Sequence, residues 1–143
     1  MSDEERQPLS LYTDGASRGN PGPAAIAYAI YDQSGELVEE GARCIGKHTN
    51  NEAEYEALLW GLHKVTERRC TIVRAFSDSE LVVRQVNGEY KARDPRMETY
   101  VERVRKYKEI FGSFELTSVP RENERTRFVD EKVNEALDRA CKS

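Results

Sequence analysis

The chain has few histidines and cysteines and no long apolar run. These shortages argue against a zinc-binding protein and a membrane-spanning protein. It contains two histidines and three cysteines, Cys44, Cys70 and Cys141, without the close spacing of a zinc site. No apolar stretch reaches membrane-spanning length, and the opening residues lack a signal-peptide pattern. We therefore expect a cytoplasmic protein with free thiols; a Cys70–Cys141 disulfide is the less favoured alternative.

The charge balance is acidic overall but uneven along the chain. The formal net charge is -4, which by itself argues weakly against a nucleic-acid partner. Between Arg84 and Lys108, however, eight basic residues face four acidic ones. This segment predicts a basic surface for nucleic acid, while a salt-bridged, solvated helix face is the structural alternative.

At 143 residues, the chain is long enough for one domain with a real core, and we expect residues 1–8 to form a short flexible tail. Hydrophobic periodicity and turn residues predict the order β-β-β-α-β-α-α-β-α, with a glycine-rich loop over 15–23. The predicted strands cover 9–13, 24–31, 36–45, 71–76 and 114–119, and the predicted helices 50–67, 79–86, 95–110 and 127–140. Three strands joined by short turns, followed by strands joined through helices, indicate an α/β fold with one mixed sheet.

Two acids, Asp14 and Asp78, come directly after predicted strands. Ligands of open α/β sheets bind beyond the carboxyl ends of the strands, so two acids at neighbouring ends would share a site. Each acid also has a structural alternative. Asp14 precedes a glycine and fits an Asx turn, and Asp78 fits the N-cap of the following helix.

Two further acids lie on or beside the apolar stripes of predicted helices. Glu54 shares the stripe of Leu58 and Gly61, where a carboxylate must be paired, neutralised or bound to metal. Asp130 borders the stripe of the last helix. The alternatives are a favourable helix-dipole interaction for Glu54 and an exposed first-turn position for Asp130. Four carboxylates from distant parts of the chain suit a pair of hard divalent cations and phosphoryl-transfer chemistry.

Four motifs in order, the last of them in two segments, carry a resemblance to a known family that extends over nearly all of the chain. They lie at 13–23, 49–54, 77–83, 119–123 and 129–137. With these motifs the chain resembles a type 1 ribonuclease H (ribonuclease HI). The resemblance implies a ribonuclease H-like fold, with a mixed five-stranded sheet flanked by helices. It also implies hydrolysis of the RNA strand of RNA–DNA hybrids with two Mg²⁺ ions, for which Mn²⁺ can substitute, leaving 5′-phosphate and 3′-hydroxyl ends.

The resemblance also implies roles for particular residues. The catalytic carboxylates would be Asp14, Glu54, Asp78 and Asp130, and Gly15 would join them in holding metal. Backbone groups of the 15–17 segment and the amides of two asparagines suit reading of the RNA 2′-hydroxyl, and Thr49 resembles a phosphate-contacting threonine. The expected substrate contacts are Gly15, Ala16, Ser17, Thr49, Asn50, Asn51, Arg84, Gln85 and Asn87. For Asn50, helix capping is an alternative that is compatible with substrate binding.

The chain departs from the family pattern in three places. The gap between Asn123 and Asp130 is longer than in many relatives, and Glu124, Glu131 and Asp138 are fallbacks for the fourth carboxylate. A histidine that many relatives carry in this loop is absent, and the candidates to replace it are Arg121, Glu122, Glu124 and Arg125. Of these, we predict Glu124 and Arg125 as auxiliary residues of the active site. No basic, tryptophan-rich protrusion follows residues 79–86, so we expect a compact form.

Two other functions fit the same residues. The first is the same fold and metals acting on double-stranded RNA. The second is a non-catalytic module that binds hybrids. In each case we expect a monomer with a nucleic-acid partner and no membrane association.

Overall fold

The computed structural model describes residues 7–140, and in this part of the chain five strands form one sheet with four helices packed against it. Most of the expected 1–8 tail, and Cys141 of the alternative disulfide, lie outside the described residues. Cys44 and Cys70 are free thiols. The elements are β1 Leu9–Ser17, β2 Gly22–Tyr31, β3 Leu37–His48, α1 Asn50–Thr66, β4 Ile72–Ser77, α2 Glu80–Val86, α3 Pro95–Ile110, β5 Ser113–Ser118 and α4 Glu124–Ala140.

The sheet has the strand order β3-β2-β1-β4-β5. Strands β1, β2 and β3 pair antiparallel, while β4 pairs parallel to both β1 and β5. The mixed five-stranded sheet is therefore confirmed. The parallel pairs require crossover connections, and the helices between these strands supply them.

Strand β1 extends further than the sequence predicts. The glycine-rich loop expected over 15–23 is shorter, because β1 stays paired with β2 as far as Ser17↔Ala24. Pairing with a long antiparallel neighbour overrides the weak strand propensity of glycine. On its other side β1 pairs with β4 only as far as Tyr12↔Phe76. The last part of β1 therefore projects past the end of β4, and this step in the sheet edge exposes the end of the strand.

Helix α4 begins at Glu124 and not at 127 as predicted. The Asn123 side chain starts it, since its Oδ1 accepts hydrogen bonds from the amides of Arg125 at 3.0 Å and Thr126 at 3.3 Å. The longer gap between Asn123 and Asp130 is thus taken up as helix. Asp130 lies in the second turn of α4, so the alternative of a first-turn acid is wrong.

Helices α1 and α4 cover opposite faces of the sheet. The α1 side forms the larger core cluster, in which Leu11 packs with Tyr55, Leu58 and Leu62 of the helix. The α4 side is smaller and includes Tyr12, Val129, Val133 and Leu137. Successive residues of β1 face opposite sides, so the strand is fixed between two apolar layers. No helix within residues 7–140 is long and apolar enough to cross a membrane.

Candidate active site

Two of the predicted acids meet at the step in the sheet edge. Asp14 lies within β1, paired with Ala27 of β2, and is past the last pairing of β1 with β4. The Asx-turn alternative is therefore wrong. Asp78 directly follows β4, and the N-cap of α2 is its neighbour Ser79, whose hydroxyl accepts from the Val82 amide at 3.3 Å. The capping alternative for Asp78 is also wrong.

The third acid, Glu54, reaches β1 from helix α1. Its Oε1 accepts a hydrogen bond from the Gly15 amide at 2.8 Å. Only glycine fits at this position, since a Cβ on Gly15 would lie 2.2 Å from the Ala53 carbonyl oxygen. The close approach of α1 to β1 thus places Glu54 beside Asp14.

The three carboxylates form a compact, largely buried group. One oxygen from each of Asp14, Glu54 and Asp78 lies within 4.8 Å of the others. Asp130 lies beside this group but is not one of the three: its carboxyl interacts with that of Asp14, and its Oδ2 accepts from the Asn134 side-chain amide at 3.4 Å. The structure therefore brings Asp14, Glu54 and Asp78 into one group, with Asp130 next to Asp14.

Burial and mutual repulsion disfavour the charged form of these acids. Burial, and next the charge of Asp78, raise the pKa of Asp14 to about 8 from an ordinary 3.8. Burial, followed by the charge of Asp14, raises the pKa of Glu54 well above its usual value. An oxygen-only donor set that becomes negative on ionisation fits a hard divalent cation such as Mg²⁺ or Mn²⁺.

Within residues 7–140, one basic side chain forms an ion pair with the group. The Arg121 Nε lies 3.4 Å from Asp78 Oδ2, and the arginine side chain is 82% exposed. The named auxiliary residues, Glu124 and Arg125, lie elsewhere. They line a separate cavity of about 440 Å³ beside Tyr31, and the Arg125 guanidinium stacks 4.0 Å above the ring of that tyrosine. Of the candidates to replace the missing histidine, Arg121 is the one that contacts a predicted catalytic acid.

The predicted substrate contacts at the start of α1 are also brought together. Thr49 is the N-cap and forms a reciprocal capping box with Glu52. The side-chain oxygen Oδ1 of Asn50 accepts a hydrogen bond from the backbone amide of Ser17 at 3.2 Å. The backbone amide of Asn50 donates to Asn20 Oδ1 at 2.9 Å. Capping is thus the role of Thr49, and the Asn50 side chain joins α1 to the end of β1.

Sequence reasoning missed Asn20 and Glu52 at this end of the sheet. Glu52 is buried, and its Oε2 lies 3.3 Å from an Arg96 guanidinium nitrogen. The capping-box spacing from Thr49 was the signal that could have identified Glu52. For Asn20 the sequence offers only a turn residue before a proline.

The three contacts predicted on α2 are not equivalent. Gln85 is buried, and its side-chain oxygen accepts from the Tyr55 hydroxyl at 2.6 Å, so this oxygen is engaged inside the protein, and substrate contact by Gln85 stays a prediction. Asn87 donates through its side-chain amide to the Leu116 carbonyl at 3.1 Å, which anchors β5. Arg84 remains partly exposed and pairs with Glu80 at 2.6 Å.

The basic segment between Arg84 and Lys108 is partly neutralised in the same way. Arg96 pairs with Glu52, Arg103 pairs with Glu56 at 3.7 Å, and Arg105 donates to backbone carbonyls at the end of α2. The structural alternative of a salt-bridged helix face therefore accounts for Arg96 and Arg103, and backbone hydrogen bonds account for Arg105.

Comparisons with known proteins agree with this architecture. A family described as reverse transcriptase-like matches residues 12–136. Ribonuclease HI of Halobacterium salinarum is 41% identical over 133 residues, which cover 92% of this chain and 65% of that protein. The crystal structure of RNase H1 from H. salinarum superposes with a TM-score of 0.87 at 36% identity, covering 92% of this chain and 98% of that one.

Two further relatives have known structures. The N-terminal RNase H domain of Rv2228c from Mycobacterium tuberculosis has a TM-score of 0.88 at 30% identity, covering 95% of this chain and 97% of that one. LC11-RNase H1, solved in complex with an RNA/DNA hybrid, has a TM-score of 0.85 at 36% identity, with 93% and 99% covered. The chain spans 65% of the length of the Halobacterium protein and 36% of the mycobacterial bifunctional protein.

Proposed function

The chain belongs to the ribonuclease HI family, and we propose that it is a metal-dependent endonuclease that hydrolyses the RNA strand of RNA–DNA hybrids. The observation that carries this proposal is the buried group of carboxylates at the step between β1 and β4. A relative of similar fold, LC11-RNase H1, is solved with an RNA/DNA hybrid. This likeness supports a hybrid as the substrate.

Asp14, Glu54, Asp78 and Asp130 would hold two divalent cations, Mg²⁺ or Mn²⁺. When bound, such a pair supplies the charge that activates a water and stabilises the leaving 3′ oxygen in an in-line displacement. A hydrolysis of this kind leaves 5′-phosphate and 3′-hydroxyl ends and needs no covalent nucleophile. Gly15, predicted as a further metal-holding position, uses its amide to orient Glu54.

Two further residues of the site, Gly15 and Arg121, contact the carboxylate group. The Gly15 amide fixes one carboxylate oxygen of Glu54. Arg121 places a positive charge beside Asp78, at an exposed position where phosphate can approach. Among the residues described, Arg121 is the basic residue whose side chain forms an ion pair with this carboxylate group.

Recognition of RNA would depend on the end of β1 and the start of α1. Asn50 uses its side-chain oxygen for the Ser17 amide, so its NH₂ group remains as the donor it offers to substrate. A 2′-hydroxyl can accept such a donor, and this hydroxyl distinguishes RNA from DNA. Ala16, Thr49 and Asn51 lie in the same region and stay predicted contacts. Monomeric state and a cytoplasmic location stay predictions from the sequence.

The first test is cleavage of end-labelled RNA–DNA hybrid, RNA duplex and DNA duplex with Mg²⁺, Mn²⁺ or EDTA. Metal-dependent cutting of RNA in the hybrid alone is the expected result. Cutting of the RNA duplex as well would extend the substrate class and retain the mechanism. Hybrid binding without cutting in either metal would replace the enzyme with a non-catalytic module.

A matched pair of variants tests the fourth carboxylate. Asp130→Asn should lower kcat by about 100-fold or more, since a metal ligand is worth several kcal/mol of transition-state stabilisation. Asp138→Asn is the control on the same helix, because Asp138 is exposed and paired with Arg18. An Asp130→Asn rate equal to that of the parent would remove Asp130 from the site, and a loss confined to Asp138→Asn would assign the fourth carboxylate to Asp138.

A further inference from the structure

A groove between helices α1 and α3 lies away from the carboxylate group. It consists of two adjoining depressions of about 380 and 270 Å³. It extends along α1 to Thr66, which is 12 residues beyond Glu54 and therefore about 18 Å further along the helix. The residues shared by the two depressions are Leu59, His63, Arg103 and Tyr107.

The groove has an apolar component that the fold leaves open. Ile110, the last residue of α3, lines the larger depression and is 62% exposed, more than any other large hydrophobic residue noted among those the structure describes. Tyr107 lines both depressions and Trp60 the smaller one, while Leu59 beside them is only 5% exposed. An exposed apolar side chain in a groove offers a seat for an apolar side chain of a partner.

The rim of the groove is basic. Arg43 stacks 4.2 Å above Trp60, and Arg103 lies beside its partner Glu56. Lys106 has no ion pair within residues 7–140. No acidic residue lines the larger depression, and Glu56, which pairs with Arg103, lines the smaller one. A positive groove on a chain of net charge -4 is a local reversal of sign, and such a reversal selects an acidic ligand.

We propose that the α1–α3 groove binds a short acidic segment of a partner protein, with a large apolar side chain seated beside Ile110. The stretch from Arg103 to Ile110 is about 10 Å along the helix, which matches about three residues of extended peptide. A peptide can supply carboxylates for Lys106 and Arg43 together with an apolar anchor. A nucleic-acid backbone would satisfy the cations and leave the apolar floor without a partner.

The test measures the binding of fluorescein-labelled peptides by anisotropy. The probe carries three glutamates followed by two leucines; one control peptide replaces the glutamates with lysines, and another replaces the leucines with serines. The parent protein should bind the probe at least about tenfold more tightly than either control peptide. We expect a Kd in the micromolar range, because the interface is small. Equal binding of the three peptides would overturn the proposal without any variant.

Variants then place the peptide on the protein. Lys106→Glu combined with Arg43→Glu should weaken binding at least about tenfold, and Ile110→Ser should weaken it several-fold. Lys47→Glu is the matched control, since Lys47 is exposed on β3 outside the groove. Circular dichroism checks the folding of each variant. Binding that is insensitive to the paired charge reversal would overturn the proposal.

Two other occupants have distinct signatures. If a 12-nucleotide single strand binds with the same sensitivity to Lys106→Glu while the peptide does not bind, the groove is a nucleic-acid surface. If sedimentation shows self-association that Ile110→Ser abolishes, the occupant is a second copy of this chain. Each result overturns the proposal, and neither affects the proposed cleavage activity.

Discussion

Replacing Gly15 with alanine should destabilise the protein by about 3 kcal/mol. The new Cβ would lie 2.2 Å from the carbonyl oxygen of Ala53 and 2.5 Å from its carbonyl carbon. Both are backbone atoms, so no side-chain rotation can relieve the contact and α1 must move away from β1. Overpacking of this kind costs about 1–3 kcal/mol. The movement also weakens the Gly15–Glu54 hydrogen bond, and a hydrogen bond between neutral groups is worth about 0.5–1.5 kcal/mol.

The assay is urea unfolding in EDTA, so that metal binding does not contribute to stability. Gly112→Ala is the matched control, because its Cβ would lie 3.4 Å from the nearest atom, the Thr71 carbonyl oxygen, an ordinary contact. The control should stay within about 0.5 kcal/mol of the parent. If Gly15→Ala unfolds at the same urea concentration as the control, the close approach of α1 to β1 is not what positions Glu54.

Three further predictions test the charges and the cap. In EDTA the unfolding free energy should fall as pH rises from 3.8 to about 8, because the raised pKa of Asp14 lets the folded state keep a proton that the unfolded state loses. Asp14→Asn should flatten this pH dependence. Thermal scans that show the same slope for the variant and the parent would contradict the prediction. Thr49→Ala should cost about 1 kcal/mol in urea unfolding through loss of the N-cap, whereas a cost below the error of the fit would mean that Glu52 alone holds the helix start. Arg121→Ala should lower the Mg²⁺ concentration for half-maximal cleavage, since a cation beside Asp78 opposes metal binding. The expected change is about two- to fivefold, which corresponds to the free energy of an exposed ion pair. An increase in this Mg²⁺ concentration would assign Arg121 to substrate binding.

Much of the fold could be predicted from local patterns, and the errors have physical causes. Period-two and helical spacing identified every strand and helix in order. The end of β1 was misplaced, because glycine and serine at 15–17 indicate a loop and only pairing with β2 makes them a strand. The start of α4 was misplaced because capping by Asn123 decides it. The longer gap before Asp130 looked like a loop insertion, but it is helical.

The burial of Gln85, which the sequence pattern did not indicate, has a different origin. Helix α2 has seven residues, which is about two turns, so its hydrophobic pattern cannot separate a buried face from an exposed one. The burial of Gln85 depends on the Tyr55 hydroxyl, 30 residues away in the chain. A polar side chain satisfied by a distant partner gives no local signal, and the same applies to the Asn20–Asn50 hydrogen bond.

The carboxylate group itself could be predicted, although each acid alone had a structural explanation. In the structure, neighbouring residues perform these structural roles: Ser79 caps α2 in place of Asp78, and Thr49 with Glu52 begins α1 without Glu54. Asp14 lies in a strand that needs no turn residue. The fold thus gains no cap or turn from these buried acids, and their burial raises the pKa of Asp14 and opposes ionisation. Such a cost is retained where a ligand repays it, and a divalent cation does so by binding the ionised forms.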